Sequence, residues 1–361
     1  MHMTESGGVS PFAGLTLDHV GFAVSDARQA ARAFVNGYGL TPYARSPRHR
    51  SARAIAVGAG DIRMVFRQSL RSGSAPASYV RAHGDGVCDI ALRARDAEQA
   101  VREAERRGAV VLSPPARAEG VVTAAILGFG DVRHTFIERA AGVDERALPG
   151  LTPVAAAPAA GPDPGLRAVD HFAVCLEPGR LEATTDFYRR VLDFDVVFEE
   201  RIVVGRQAMD SKVVQSPGGG LTLTLIEPDI SREPGQIDSF LRGHGGAGVQ
   251  HIALATDDIV TAVRAMTRRG VDFLDAPDSY YTLLAGRLEP VRHTVAELRE
   301  TNVLVDQDHD GQLFQLFTRS VHPRKTLFME VIERMGARTF GSGNIRALYE
   351  AVELQRAKDA A

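Results

Sequence analysis

The chain writes one passage twice, and few arrangements of a polypeptide allow that. VCDIAL at residues 87–92 returns as VQHIAL at 249–254, and RRGAVVLSPP (106–115) returns as RRGVDFLDAP (268–277) at the same offset. Around them LDHVGFAV (17–24) answers VDHFAVCL (169–176), YVRAHGDGV (79–87) answers FLRGHGGAGV (240–249), and HTFIER (134–139) answers MEVIER (329–334). The matching pieces run in the same order in both halves, so 17–140 and 169–334 read as two copies of one domain. Each copy is itself double. The DH-containing and IAL-containing phrases are short apolar runs of strand character, each followed by an amphipathic helical stretch and several further strand-like runs. In 257–270, Ile259, Val263 and Met266 fall on one helical face, Asp257 or Asp258 can cap its start, and Gly270 stands at its end. The predicted fold is α+β: tandem βαβββ modules, two per domain, forming two open-barrel-like domains, with a C-terminal helix.

Between the copies, residues 141–168 are rich in Ala, Pro and Gly and read as a linker. The expected division is therefore an N-terminal structural domain over 1–140, a linker over 141–168 and a catalytic domain over 169–361. Two cysteines, Cys88 and Cys175, lie in apolar strand-like runs and read as reduced core thiols. The formal net charge is −3, and no basic run is interleaved with aromatics, so no nucleic acid is expected as a partner. No apolar run approaches the roughly 20 residues that span a bilayer. The first residues lack the basic and apolar stretches of a signal peptide, so a cytoplasmic protein is expected.

The repeat isolates the candidate chemistry. At three corresponding positions the second half carries His171, His251 and Glu330, where the first half carries His19, Asp89 and Thr135. Two imidazoles and a carboxylate make the facial set that holds non-haem Fe(II) and leaves positions open for substrate and O2. Glu330 sits in the apolar run KTLFMEVIER, where an acid is out of character unless paired or bound to a cation. The first half retains one histidine and no comparable set, and is expected to be structural, offering a surface for a homodimer. A single strand histidine is more often a core residue than a ligand. His83 and His244, twins in a Gly-rich loop, read as structural, and His2, His49, His293, His309 and His322 read as surface residues.

GAGVQHIAL, the DSYY element at 278–281, DGQLFQLFT, LFMEVIER and FGSGNIRALYEAVE resemble blocks of the 4-hydroxyphenylpyruvate dioxygenase family of the vicinal-oxygen-chelate superfamily. The resemblance implies Fe(II) at His171, His251 and Glu330, with 4-hydroxyphenylpyruvate and O2 as substrates. It also implies that Ser211, Gln236, Gln250, Gln315, Phe317, Phe328 and Phe340 build the substrate site. The family runs two chemistries after a shared oxidative decarboxylation: ring attack giving homogentisate, or benzylic hydroxylation giving 4-hydroxymandelate. In LTLTLIEPD (221–229) the resemblance implies a Pro-x-Asn arrangement for the homogentisate branch, whereas this chain has Thr224 and Ile226, as the hydroxymandelate synthases do. Ile345 likewise stands where the homogentisate branch would carry Phe; its plainer reading is packing of the last helix with Leu348 and Val352. The reading is thus a 4-hydroxymandelate-forming oxygenase, which would supply a precursor for a peptide antibiotic. The alternatives are a homogentisate-forming dioxygenase and a non-catalytic small-molecule binder. Residues 340–361 are expected to form a lid helix over the site.

Overall fold

The structure, a computed structural model, describes residues 10–47, 52–155 and 161–345. In the first half, β1 (Thr16–Ala23), α1 (Ala27–Tyr38), β2 (Thr41–Arg45), β3 (Ala52–Ala59) and β4 (Ile62–Ser69) make one βαβββ module. The connecting helix α2 (Ala75–His83) leads to a second: β5 (Gly86–Arg93), α3 (Ala97–Arg106), β6 (Val111–Ala118), β7 (Val121–Phe129) and β8 (Val132–Arg139), after which comes the short β9 (Thr152–Pro153). The second half repeats the plan with β10 (Leu166–Cys175), α4 (Leu181–Leu192), β11 (Asp195–Val204), β12 (Gln207–Gln215), β13 (Thr222–Pro228) and the connecting α5 (Gln236–His244). Its last module is β14 (Gly248–Thr256), α6 (Ile259–Arg268), two inserted helices α7 (Asp278–Arg287) and α8 (Val295–Thr301), then β15 (Leu304–Gln307), β16 (Gln312–Phe317) and β17 (Phe328–Met335). The fourfold module predicted from the repeat is therefore present.

Each module closes in the same way. Its first strand pairs in parallel with its last, as β1 with β4, β5 with β8, β10 with β13 and β14 with β17. The two first strands of a half then pair antiparallel, β1 with β5 and β10 with β14. This gives a nine-stranded sheet ordered β6-β7-β8-β5-β1-β4-β3-β2-β9 and an eight-stranded sheet ordered β11-β12-β13-β10-β14-β17-β16-β15. A side-chain oxygen near the end of each last strand also caps its own module's helix. Glu138 Oε2 accepts from Ala97 N–H at 3.0 Å, Glu227 Oε2 from Leu181 N–H at 2.9 Å, Glu333 Oε2 from Ile259 N–H at 2.8 Å, and Gln68 Oε1 more loosely from Ala27 N–H at 3.4 Å. An acid there satisfies an orphan donor and complements the positive helix end. This accounts for the recurring Ile-Glu at 137–138, 226–227 and 332–333. Asp258 caps α6 through Thr261 N–H, and Gly270, with φ +86°, follows its end.

One apolar core runs through both halves, where α1 meets α6 and α3 meets α4. Cys88 and Cys175 are buried free thiols, and among the described residues no helix is long and apolar enough to cross a membrane. Two expectations change. His293 is not a surface residue: it is buried, with Nε2 2.8 Å from Glu333 Oε2. Residues 141–168 are only partly a linker. Leu148 is buried beside Ala44, Ala56, Val65, Ala91 and Ile137, with Val143 and Leu151 packed around it. Thr152–Pro153 pairs with β2, and β10 already begins at Leu166. Composition marked a linker, but its spaced Val143, Leu148 and Leu151 supply enough apolar surface to cover the first sheet's inner face. The predicted lid helix and its Leu348 and Val352 lie outside the described residues beyond 345, as do His2 and His49.

His83 and His244 end their connecting helices and stack on each other across the two halves, with ring centroids 4.3 Å apart and planes at 18°. Phe240 lies on the other face of His244 at 5.1 Å, and His83 Nδ1–H donates to His244 O at 2.9 Å. Burial, with help from the neighbouring His83, lowers His244 from its ordinary 6.5 to about 4. The unfolded chain therefore binds the extra proton between those values. Stability is full above the ordinary value and falls as pH drops toward 4. From neutral pH to about pH 4.5 the melting temperature should fall more steeply for the natural protein than for His244→Gln; equal slopes in a thermal-denaturation series would reject this assignment.

Candidate active site

Strand register assembles the three candidate ligands. β10, β14 and β17 are neighbours, with His171 opposite Ala253 and Ala253 opposite Glu330. His251 lies two residues before Ala253, opposite Ala173 on one side and Phe328 on the other. Residues directly opposite share a face and so do residues two apart, so all three polar groups point to one side of the sheet. Ala253 and Ala173 fill the intervening places with a single methyl each, which leaves room above them.

One ligand atom from each of His171, His251 and Glu330 lies within 4.8 Å of the others. Glu330 Oε2 is 3.5 Å from His171 Nε2 and 3.3 Å from His251 Nε2. Those separations exceed a good charge-assisted hydrogen bond of about 2.7–2.9 Å, so the groups converge on a common point without closing on each other. Glu330 and His171 are only 2% and 3% exposed. His171 Nδ1–H donates to Asp170 Oδ1 at 2.8 Å, which fixes the tautomer and leaves Nε2 with its lone pair toward the convergence point. Asp170 is in turn gripped by Arg334, with Nε and Nη2 each 2.8 Å from a carboxylate oxygen. Burial opposes ionisation of Asp170, but the hydrogen bonds from His171 and Arg334 outweigh it and hold the acid well below the usual carboxylate range. Burial also lowers His251, favouring the neutral imidazole that can act as a ligand, although its contact with Glu330 opposes the shift. Two imidazole nitrogens and a carboxylate, two of the three residues buried and His251 half-buried, converge as a donor set that fits a divalent transition metal such as Fe(II).

The convergence point opens into a cavity of about 480 Å³. Its walls include His171, His251 and Glu330 together with every substrate-site residue singled out above: Ser211, Thr224, Ile226, Gln236, Gln250, Gln315, Phe317, Phe328, Phe340 and Ile345. Phe328 stacks on His251 at 5.0 Å and Phe340 meets the His171 ring edge-on at 5.0 Å. Of the buried side-chain atoms without a hydrogen-bond partner among the described residues, Thr224 Oγ1 and Gln315 Oε1 belong to residues of this wall. A buried polar atom without a partner is costly, and a polar ligand in the cavity would supply one.

Sequence reading missed the opposite wall, made of Phe198, Glu200 and Ile202 on β11 and Met209 and Val213 on β12. Ser211 was the signal for them. It lies between Ile226 and Glu200 across the sheet, so a period of two from Ser211 reaches Met209 and Val213, and their β11 partners lie beside them. Asp170 and Arg334 were also missed, although DH and IER stand in both repeats as Asp18–His19 and Arg139. The first half keeps that skeleton: His19 Nδ1 lies 2.9 Å from Asp18, which Arg139 grips. At the other two positions Thr135 Oγ1–H donates to Asp89 Oδ2 at 2.7 Å, so the acid is satisfied within the protein.

The rim of the cavity is held by the DSYY element. Tyr280 O–H lies 2.8 Å from Asn344 Oδ1, and the same hydroxyl accepts from Val305 N–H at 3.0 Å. Gly341, at φ +78°, lies so close against Gln315 that an added Cβ would clash with Oε1. The segment 340–345, with Phe340 and Ile345, is thereby fixed over the mouth.

Known proteins bear on this site. The profile described as "Hydroxyphenylpyruvate dioxygenase, HPPD, N-terminal" matches residues 10–147, and that of the "Glyoxalase/Bleomycin resistance protein/Dioxygenase superfamily" matches 168–316. A 4-hydroxyphenylpyruvate dioxygenase of Yarrowia lipolytica is 34% identical over 94% of this chain and 92% of its own, and one from Danio rerio is 34% identical over 94% and 90%. The solved structure of a triple mutant of 4-hydroxymandelate synthase from Streptomyces coelicolor superposes with a TM-score of 0.81 at 39% identity, covering 94% of this chain and 98% of that one.

Tyr280→Phe removes the partner of Asn344 and of Val305 N–H. It should cost about 1–3 kcal/mol in denaturant unfolding and expose the 340–345 segment to limited proteolysis; unchanged stability and an unchanged cleavage pattern would show that the rim is held by other contacts.

Proposed function

This chain belongs to the 4-hydroxyphenylpyruvate dioxygenase family, and from that premise we propose that it is a non-haem Fe(II) oxygenase converting 4-hydroxyphenylpyruvate and O2 to 4-hydroxymandelate and CO2. His171 Nε2, His251 Nε2 and Glu330 Oε2 would hold the iron. Fe(II) held there would bring the α-keto acid and O2 together for oxidative decarboxylation, the electrons for reducing O2 coming from the substrate. The balance closes, since the acid loses its carboxyl as CO2 and one oxygen atom each goes to the new carboxylate and to the benzylic carbon.

The protein's own part is orientation. Asp170, locked by Arg334, fixes the tautomer and plane of His171. Phe317 and Phe328 flank His251 with apolar faces suited to an aromatic ring, and Phe340 packs beside His171. Thr224 Oγ1 and Gln315 Oε1 offer hydrogen bonds to the polar ends of the substrate. The observation that carries the choice of product is Ile226 in the cavity wall, next to Ser211 across the strand pair. An amide there would donate and accept hydrogen bonds; a branched alkyl group does neither and adds bulk, favouring a ring position that presents the benzylic carbon. The match to the hydroxymandelate synthase structure supports the same reading. A non-catalytic binder would have no need of three converging ligand groups.

Reconstitution with Fe(II), followed by 4-hydroxyphenylpyruvate and O2, should give mainly 4-hydroxymandelate. The isomeric homogentisate has the same mass, so chromatographic retention against standards decides. Homogentisate as the main product would overturn the synthase reading, and an iron-loaded protein without turnover would favour a binder. Ile226→Asn should move product toward homogentisate, while Glu330→Ala should lose both iron and turnover.

A further inference from the structure

The cavity's first ligand and its covering segment are joined through one side chain. Arg334 leaves the end of β17 and grips Asp170 with both arms of its fork, and Asp170 accepts from His171 Nδ1–H. Its remaining Nη1 donates to Ala337 O at 3.1 Å and Thr339 O at 2.7 Å, on the stretch leading to Phe340. Its guanidinium lies 5.0 Å from the centre of the Phe340 ring, which meets the His171 ring edge-on at 5.0 Å. The contacts close a loop: His171 to Asp170, to Arg334, to Phe340, and back to His171. Asp308 pins the same stretch from outside, accepting from Arg338 N–H at 2.7 Å and Thr339 N–H at 2.8 Å.

We infer that Arg334 is a positioning residue that couples the docking of Phe340 over the cavity to the orientation of His171 as a metal ligand. Phe340 then has a second role besides lining the cavity: its ring fixes one face of His171. The planar fork is required, because one ammonium cannot span both carboxylate oxygens and two carbonyls while covering an aromatic face. The first half supplies an internal comparison. Arg139 grips Asp18 beside His19 and donates to Ala147 O at 3.0 Å on the segment that plugs that half. The Asp-His-Arg chain therefore belongs to the repeat, and the aromatic closure onto the histidine is what the second half adds.

The inference rests on the metal reading above, and Co(II) alone tests both, by calorimetry and by the visible absorption of the bound ion. One Co(II) per natural chain is expected, and Arg334→Met should weaken it roughly tenfold or more and alter the visible band, the lower end of what loss of outer-shell support costs a metal site. Phe340→Ala should weaken it too, and the double variant should lose less than the product of the two single losses. Arg139→Met should leave Co(II) affinity unchanged. If Arg334→Met fails to fold by circular dichroism, Arg334→Lys takes its place with the same expectation. No Co(II) binding by the natural chain would overturn the metal reading and this inference together. Normal binding by the natural chain with unchanged affinity and spectrum in the Arg334 variant would overturn the inference alone. So would single losses that simply multiply, or an equal loss from Arg139→Met.

Discussion

The centre of the second half depends on the antiparallel pairing of β10 with β14. Each is the first strand of its module, and each pairs on its other edge with the last strand of that module. The pairing puts β10, β14 and β17 side by side and sets His171, Ala253 and Glu330 in one row. A one-residue slip of β14 would carry His251 to the opposite face and break the group, because strand side chains alternate. The buried apolar residues on the other face, such as Phe172, Ile252 and Val331, hold that register against the shared core.

The same pairing exists in the first half and, among the described residues, yields no comparable group of ligands, for reasons of packing and charge. There Asp89 is satisfied by Thr135, and the inner face of the sheet is covered by Leu148 with Val143 and Leu151 around it. Arg63 and Arg139 fasten that covering segment through Glu145 O and Ala147 O. In the second half the described chain after the last strand, 336–345, also returns over the inner face, but it brings Phe340 to the rim of the cavity rather than filling it. One architecture thus gives a plug or a cavity, according to the residues that succeed β8 or β17 in the chain.

Electrostatics inside the cavity derive from this closure. Glu330 is buried between two imidazoles and Asp170 is half-buried against Arg334, so both carboxylates sit where an unpaired charge would be costly. The Asp170–Arg334 pair is internally balanced and works as scaffold. The three groups His171, His251 and Glu330 meet around a space suited to a cation. Two polar atoms of the surrounding wall, Thr224 Oγ1 and Gln315 Oε1, have no hydrogen-bond partner among the described residues, while the aromatic groups are already packed.

The fourfold βαβββ plan was legible from sequence because duplicated strands and helices must each bury a repeated apolar face, and that periodicity is written locally. The repeat also singled out His171, His251 and Glu330, since only the second half carries two imidazoles and an acid at the three matching positions, where the first has His19, Asp89 and Thr135. The burial of His293 was not legible: its partner Glu333 is 40 residues away and is also the cap of α6. Nor was the role of 141–155, whose composition reads as linker while its contacts make it a cover. Phe198, Glu200 and Met209 reach the cavity only through the pairing of β11 with β12. By itself the sequence determined the modules, their order and the residue types able to carry the chemistry. Only the tertiary structure decided which concave face stays open and how Asp170, Arg334 and Phe340 are joined, because those depend on contacts between strands and loops far apart in the chain, which no local pattern encodes.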